Sequence, residues 1–317
     1  MSPLRLLSQL EVQQALPMSD AITAMKAAYS QLSTGASDMP LRSRTAMADD
    51  GILLTMPAFL SESRQLGVKI VSVVPENIKR NLPMIHALVL VFDEATGQPR
   101  AILEGSSLTA IRTGAGAGAA TDVLARQDAS TVAIIGSGTQ ARTQLSAVCA
   151  VREIDAVYVY SRTPENAQRF VDEMAGEGNI PAIIHITDTP EAAIEQADIV
   201  CTATNSQTPV FDGTRLKAGT HINAVGSYTP TMQEVDEVTL KQASIFVDST
   251  EAILKEAGDL IIALDNGTLT RDDVQVEIGH VLTGSHVGRR DDEQITYFKS
   301  VGLAVQDVAA AYTALEN

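Results

Sequence analysis

The sequence predicts an α/β protein in which a parallel sheet, covered by helices on both faces, follows a region of α+β character. Three observations lead there. From Thr131 onward, near-continuous apolar runs such as TVAIIG, AVYVYS and DIVCTAT alternate with amphipathic segments of helical period, as strands buried on both faces require. Ahead of them, roughly the first 105 residues read as helices followed by several mostly antiparallel strands. The closing segment DEQITYFKSVGLAVQDVAAAYTAL reads as one long helix that packs back onto this first region. The expected organisation is a discontinuous domain, 1–120 together with 300–317, around a second domain at 121–299.

Each element has its own warrant. Ser8-Gln-Leu-Glu11 is a capping box ahead of a short helix. Pro17 and Ser19–Asp20 start a second helix, AITAMKAAYSQL, whose Ile22, Met25, Tyr29 and Leu32 fall on one face. GILLTMPAF, LGVKIVSVV, MIHALVLVF and PRAIL read as strands, the last two as a hairpin around Thr96–Gly97. SLTAIRTGAGAGAATDVLA is a helix pattern rich in small residues, where Gly114, Gly116 and Gly118 each cost about 1 kcal/mol relative to alanine. Close packing against a neighbour explains such glycines; so does a helix start lying against a ligand, with Arg112 and Thr113 facing it. Then TQARTQLSAVCAV, PENAQRFVDEMAG and a short PEAAIEQ supply helices between strands, and PAIIHI, THINAVG and SIFVDS complete the strand set. No internal repeat or low-complexity tract interrupts this order.

At 317 residues the chain can support two cores, and 45% hydrophobic with 20% charged residues suits a globular protein. A formal net charge of −16 argues against nucleic acid and anionic membrane as partners, since both need basic surface. A small anionic substrate remains compatible, because two or three basic side chains can line a site in an acidic protein. The opening MSPLRLLSQL is not expected to be a secretory signal, and no run approaches the roughly eighteen apolar residues of a membrane span. Cys149 and Cys201 lie in apolar segments and are expected as buried free thiols of a cytoplasmic protein. His86, His185, His221, His280 and His286 show no spacing with cysteines or acids that suggests a metal.

The chemistry is concentrated at Gly136-Ser137-Gly138-Thr139-Gln140-Ala141, a G-x-G-x-x-A turn that follows a strand and opens a helix. The first glycine allows the tight turn, the second lets backbone approach a pyrophosphate, and Ala141 packs helix on strand. The motif is expected as the phosphate-binding turn of a dinucleotide site, the other reading being a tight structural turn. At the end of the next strand, an acid would hold both ribose hydroxyls of NAD and repel a 2′-phosphate. Here stand Ser161, Arg162 and Thr163, and a guanidinium with two hydroxyls suits that phosphate. NADPH is therefore expected over NADH, the other reading of Arg162 being a solvated surface charge.

Ala110-Ile-Arg112-Thr113-Gly-Ala ahead of the turn, INAVGSYTP at 222–230 and YFKSVGLAVQDVAAA at 297–311 together resemble the ornithine cyclodeaminase/mu-crystallin family, over nearly the whole chain and in the same order. The resemblance implies a Rossmann domain and an α+β substrate-binding and dimerisation domain, acting as a homodimer on amino acids, keto acids or cyclic imines. It puts Arg44 and Arg112 on a substrate carboxylate, with Val301 also at the substrate, and faces Lys69 toward the reacting carbon as proton donor or acceptor. Read from the residues alone, Arg44 is equally a surface charge, with Arg42 blurring the register, and Lys69 is either a site group or, less favoured, an edge-strand side chain reaching water. For the cofactor it implies Thr113, the turn residues Gly136 to Gln140, Ser161 to Thr163, Thr202, Ala203, Thr204, Val225, Gly226, Ser227 and Ser300. His86 lies near where members contact ligands, though a structural histidine explains it as well.

One departure selects among activities. Deaminating members carry an aspartate shortly after the NAVG strand end; here the chain reads Gly226-Ser227-Tyr228-Thr229-Pro230, with no acid until Glu234. A preformed cyclic imine needs a hydride and one proton and no amine hydrolysis. The expectation is an imine reductase taking Δ1-pyrroline-2-carboxylate, or the six-membered Δ1-piperideine-2-carboxylate, to L-proline or L-pipecolate. The alternatives are an amino-acid dehydrogenase of alanine type, an ornithine cyclodeaminase with its base elsewhere, and a non-catalytic NADPH-binding protein. An intact set of Arg44, Lys69 and Arg112 speaks against the last.

Overall fold

The structure, a computed structural model, describes residues 3–48 and 50–317. The chain forms two compact units, Met1–Arg112 with Leu303–Asn317, and Thr113–Gly302. The division falls inside a helix, between Arg112 and Thr113.

The first unit opens with strand β1 (Arg5–Leu7) and helix α1 (Gln9–Ala15), where Glu11 accepts from the Ser8 amide at 2.8 Å and its hydroxyl at 2.6 Å. Helix α2 (Met18–Ser33) buries Ile22, Met25 and Tyr29 of the apolar stripe read in the sequence, with Leu32 half-buried. Strands β2 (Ser37–Asp38), β3 (Ser43–Ala46), β4 (Ile52–Leu60), β5 (Gln65–Val73), β6 (Ile85–Phe92) and β7 (Pro99–Glu104) follow, then helix α3 (Gly105–Leu124). They form one sheet in the order β1-β7-β6-β5-β4-β2, with β3 also on β4, antiparallel except where β1 adds parallel to β7.

Strand pairing fixes which residues share a face, because side chains alternate. Lys69 lies opposite Met56 and Val89, and this face, with Val91 and Leu103, is buried. The other face carries Val68, Ile70, Leu90, Ile102, Leu88 and Leu6, apolar yet incompletely covered: Leu88 is 49% and Leu6 69% exposed.

The second unit contains β8 (Thr131–Ile135), α4 (Thr139–Val151), β9 (Ala156–Tyr160), α5 (Pro164–Met174), β10 (Ile184–Ile186), α6 (Pro190–Ile194), β11 (Ile199–Thr202) and β12 (His221–Ala224). Then come α7 (Glu237–Gln242), β13 (Ala243–Val247), α8 (Thr250–Glu256), α9 (Gly258–Asp265), α10 (Ile278–Leu282) and β14 (Ile295–Lys299). The sheet is all parallel, in the order β10-β9-β8-β11-β12-β14-β13, which reverses direction between β8 and β11. That is the doubly wound arrangement, with its crevice at the carboxyl ends of the central strands. Gly114 is a packing glycine: a Cβ there would lie 2.4 Å from the Thr143 carbonyl oxygen.

One sequence expectation fails here. The segment expected as a single closing helix is split into β14 and a helix α11 (Ala304–Glu316). ITYFK is β-branched and aromatic, and it lies between β12 and β13 with every residue buried, so tertiary pairing overrides the helical reading. Gly302, at φ +83°, ends the extended run before α11 begins. Helix α11 belongs to the first unit, where Tyr312 donates to the Phe92 carbonyl at 2.6 Å. Among the described residues no helix is long and apolar enough to cross a membrane.

Candidate active site

In the first unit the sheet's buried face, α3 and α11 bring four polar side chains into an apolar interior. Lys69 is 3% and Arg112 5% exposed, and Gln306 and Asp307 are fully buried. Lys69 Nζ donates to Asp307 Oδ1 at 3.2 Å, and Arg112 Nε donates to the same oxygen at 2.9 Å. Arg112 Nη1 donates to Gln306 Oε1 at 3.1 Å; that oxygen also accepts the Leu303 amide at 2.8 Å, and the Gln306 amide nitrogen donates to the Tyr29 hydroxyl at 2.7 Å. Asp307 Oδ2 is buried without a partner among the described residues, and no hydrogen bond there engages Arg112 Nη2. Burial lowers the Lys69 pKa from the ordinary 10.5 to about 8; Asp307 opposes the shift, and the charges of Arg112 and Arg42 add to it. Two cations on one carboxylate oxygen, with a third charge acting on the lysine, leave a positive cluster suited to a small anion.

Arg44, expected as a carboxylate clamp, does not join this cluster. It stands exposed on edge strand β3 opposite Leu54, and Arg42 is the arginine whose charge bears on Lys69. His86 is exposed and lies opposite Ser72, hence on the sheet face away from Lys69. The sequence reading missed Asp307 and Gln306, although they are the only polar residues in the run Val305–Ala311.

In the second unit Gly136 has φ +112°, and a Cβ there would lie 2.6 Å from the Ala203 carbonyl oxygen, so only glycine fits. Gly138 has nothing within 4 Å of such a Cβ, which leaves the backbone open to a phosphate at the start of α4. Thr139 is exposed there, and Gln140 Oε1 is buried without a partner among the described residues. Arg142 holds the turn from behind through the Ser137 and Gly138 carbonyls. Ser137 and Ser161 are hydrogen-bonded through their hydroxyls at 2.9 Å, joining the turn to the end of β9. Arg162 and Thr163 are exposed beside them, and no hydrogen bond or ion pair engages Arg162 among the described residues. The open glycine at the start of α4 fits the pyrophosphate of a dinucleotide, and the spare Gln140 amide oxygen can accept from a ligand hydroxyl. Thr113, half-buried, heads the part of α3 in this unit.

Other expected cofactor residues have their side chains committed to the protein. Buried Glu234 accepts from Thr202 Oγ1 (2.9 Å), the Thr204 amide (2.6 Å) and hydroxyl (2.8 Å), and the Gly226 amide (2.7 Å). It therefore ties the loop after β11, with Ala203, to the loop after β12, with Val225. Ser227 is fully buried and donates to the Met232 carbonyl at 2.8 Å. Asp248 Oδ2 accepts from Ser300 Oγ (2.8 Å) and the amides of Val301 (2.9 Å) and Gly302 (3.0 Å). These residues could meet a ligand through backbone or by shaping the loops. Glu234, the first acid after the NAVG strand, is a fastener and not a free base. Burial raises its pKa, and Asp259 adds to this while Lys299 opposes it. His221 is likewise structural: buried between Thr296 and Asn223, its pKa falls to about 3 by desolvation.

The profile of the ornithine cyclodeaminase/mu-crystallin family matches residues 4–317. A Δ1-pyrroline-2-carboxylate reductase of Bacillus cereus (strain ATCC 10987 / NRS 248) is 41% identical over 296 residues, 93% of this chain and 90% of that protein. The Δ1-pyrroline-2-carboxylate reductase of Thermococcus litoralis, solved with NADH and L-proline, superposes with a TM-score of 0.94 at 39% identity, covering 99% of this chain and 97% of the other. An archaeal alanine dehydrogenase dimer with bound NAD gives 0.91 at 35% identity, covering 99% and 95%.

Proposed function

We propose that this chain, which belongs to the ornithine cyclodeaminase/mu-crystallin family, is a nicotinamide-dependent imine reductase whose first substrate is Δ1-pyrroline-2-carboxylate, reduced to L-proline. The observation that carries the reading is the buried cluster of Lys69 and Arg112 on Asp307. Arg112, with Nη2 uncommitted and Arg42 as the nearby second charge, binds the substrate carboxylate. Lys69, with a pKa of about 8, is mostly ammonium at neutral pH and close enough to its titration point to give a proton to the imine nitrogen. The bound cofactor supplies the hydride that goes to the imine carbon. Burial of the cluster keeps water away from the transferring proton and strengthens the electrostatic hold on the anion.

NADPH is the preferred cofactor on this reading, because Arg162 stands free where NAD-selective chains place an acid. A six-membered ring is the second substrate class. The enzyme acts as a homodimer through the uncovered apolar sheet face around Leu6 and Leu88, a patch that water disfavours. Two buried free thiols, Cys149 and Cys201, support a cytoplasmic setting. The likeness to an alanine dehydrogenase supports a second reading, amino-acid oxidation. The test is NADPH and NADH oxidation with five- and six-membered cyclic imine carboxylates beside pyruvate plus ammonia. Faster turnover of either imine is expected; pyruvate with ammonia outpacing both would replace this proposal with the dehydrogenase.

A further inference from the structure

The cluster contains a group to which neither the sequence motifs nor the proposed chemistry gives a role of its own. Asp307 enters from α11, in a run otherwise apolar except for Gln306, and a carboxylate has no place in such an interior unless it is paired. Its pairing is lopsided: Oδ1 takes both Lys69 Nζ and Arg112 Nε, and Oδ2 takes nothing among the described residues. A carboxylate serving only to stabilise the fold would gain by spreading its bonds over both oxygens. Here the two cations converge on one atom, which fixes the lysine on β5 relative to the arginine on α3. Gln306 braces the same arginine through Nη1 and is itself fixed by Tyr29 on α2 and the Leu303 amide.

We propose that Asp307 is the positioning residue of this site: one buried carboxylate oxygen sets where the Lys69 ammonium and the Arg112 guanidinium point. The inference rests on the imine-reductase reading for its kinetic consequence but not for its structural one. Three charged groups act on Lys69, namely Asp307, Arg112 and Arg42, and only Asp307 favours the ammonium. Without it, burial and two positive neighbours all favour loss of the proton. Asp307 thus keeps the lysine charged at neutral pH and holds its ammonium at a fixed place beside Arg112.

The test is Asp307→Asn, close in shape but without charge. Lysines labelled with ¹³C at Cε are titrated by NMR, with Lys69→Met identifying the Lys69 signal, so this readout needs no substrate. The Lys69 midpoint should fall by about 1–2 pH units, as expected on losing an adjacent opposite charge. In the imine assay kcat at pH 8 should drop about tenfold or more, with the alkaline limb moved by the same interval, while NADPH affinity holds within about twofold. A Lys69 midpoint unchanged in the folded variant overturns the proposal, whatever the activity. If wild type reduces no imine, the functional reading falls while the NMR titration still decides the role of Asp307. Should Asp307→Asn fail to fold, Asp307→Glu keeps the charge and displaces it by one methylene. Positioning then predicts a kcat loss of about fivefold or more with the Lys69 midpoint held within about half a unit. Unchanged kcat in that variant would overturn it.

Discussion

Lys69 with Asp307 in the first unit and Lys299 with Asp259 in the second are both lysine–aspartate pairs withdrawn from water, at 3.2 and 2.9 Å. Asp259 is saturated: Oδ2 accepts from Lys299 and, at 3.3 Å, the Tyr297 hydroxyl, and Oδ1 accepts the amides of Glu234 (2.6 Å) and Val235 (3.2 Å). It stitches β14 to the segment carrying Glu234 and leaves nothing over. Asp307 is under-used, with one oxygen shared by two cations and the other idle. A buried pair closed by its own neighbours is a structural fastener, whereas one that leaves donors uncommitted and a lysine pKa near 8 is poised for a ligand.

The largest effects should come from breaking each lysine in turn. Lys69→Ala should lower kcat for imine reduction by about 10²–10⁴, the usual worth of a positioned general acid, with a modest change in thermal midpoint. Lys299→Ala should do the reverse. It strands Asp259 as an uncompensated buried charge, at a cost of about 3–5 kcal/mol in stability by denaturant titration, while the folded fraction keeps near-native kcat. If both variants lost stability equally and neither lost kcat selectively, the distinction between the pairs would collapse.

The pH dependence sharpens the same contrast. Lys69 must be protonated to donate, so kcat for reduction should be level below pH 8 and fall about tenfold per unit above it, through the pKa of about 8. For stability the sign is opposite. Between pH 8 and 10.5 the unfolded chain holds more protons on this lysine than the folded one, so its contribution to stability rises with pH across that window. Denaturant midpoints of wild type against Lys69→Met, measured over the window, check both size and direction. A wild-type rate that rises above pH 8 would remove Lys69 as the donor.

Cofactor choice gives a smaller effect, confined to the second unit. Arg162→Ala should weaken NADPH binding by about 1.5–3 kcal/mol, roughly ten- to 150-fold in Kd, and leave NADH nearly unchanged. Equal affinity of the wild type for both cofactors would leave the exposed guanidinium as a solvated surface charge.

The two pairs also show what a sequence can and cannot disclose. The glycine turn, the strand ending in Ser161–Arg162 and the alternation after Thr131 were legible because each is local: spacing of a few residues dictates backbone conformation. Lys69 stood out as a charge in an apolar strand, but its partner comes from a helix 238 positions later, and no periodicity links them. Arg42 and Arg44 are two residues apart with the same side chain, and only the fold shows that the charge of Arg42 bears on Lys69 while Arg44 stands exposed on β3. ITYFK was misread because a central strand covered on both faces has no alternation to distinguish it from a buried helix. Glu234 stands out in the sequence only for its distance from the NAVG strand, whereas its role lies in four hydrogen bonds, to Thr202 and Thr204 at and after the end of β11 and to Gly226 after β12.

The smallest expected effect concerns deamination. Tyr228 is 42% exposed and stands where deaminating relatives carry aspartate by the motif resemblance, so no free carboxylate occupies that position. Asp307 is the carboxylate that could replace it, and its environment argues otherwise. A base that takes the proton of an ornithine ammonium must be available to it, yet Asp307 already balances Lys69 and Arg112. Protonating it would leave two cations facing each other in a dry interior, which is more costly than leaving the substrate charged. Ammonia release from ornithine with catalytic NAD(P)⁺ should therefore be negligible in wild type. Tyr228→Asp should yield at most trace deamination. Robust ammonia release by wild type, abolished in Asp307→Asn, would show that the idle oxygen of Asp307 is a working base. The first unit's pair would then be a deaminase centre, and the contrast with Lys299 and Asp259 would stand for a different reaction.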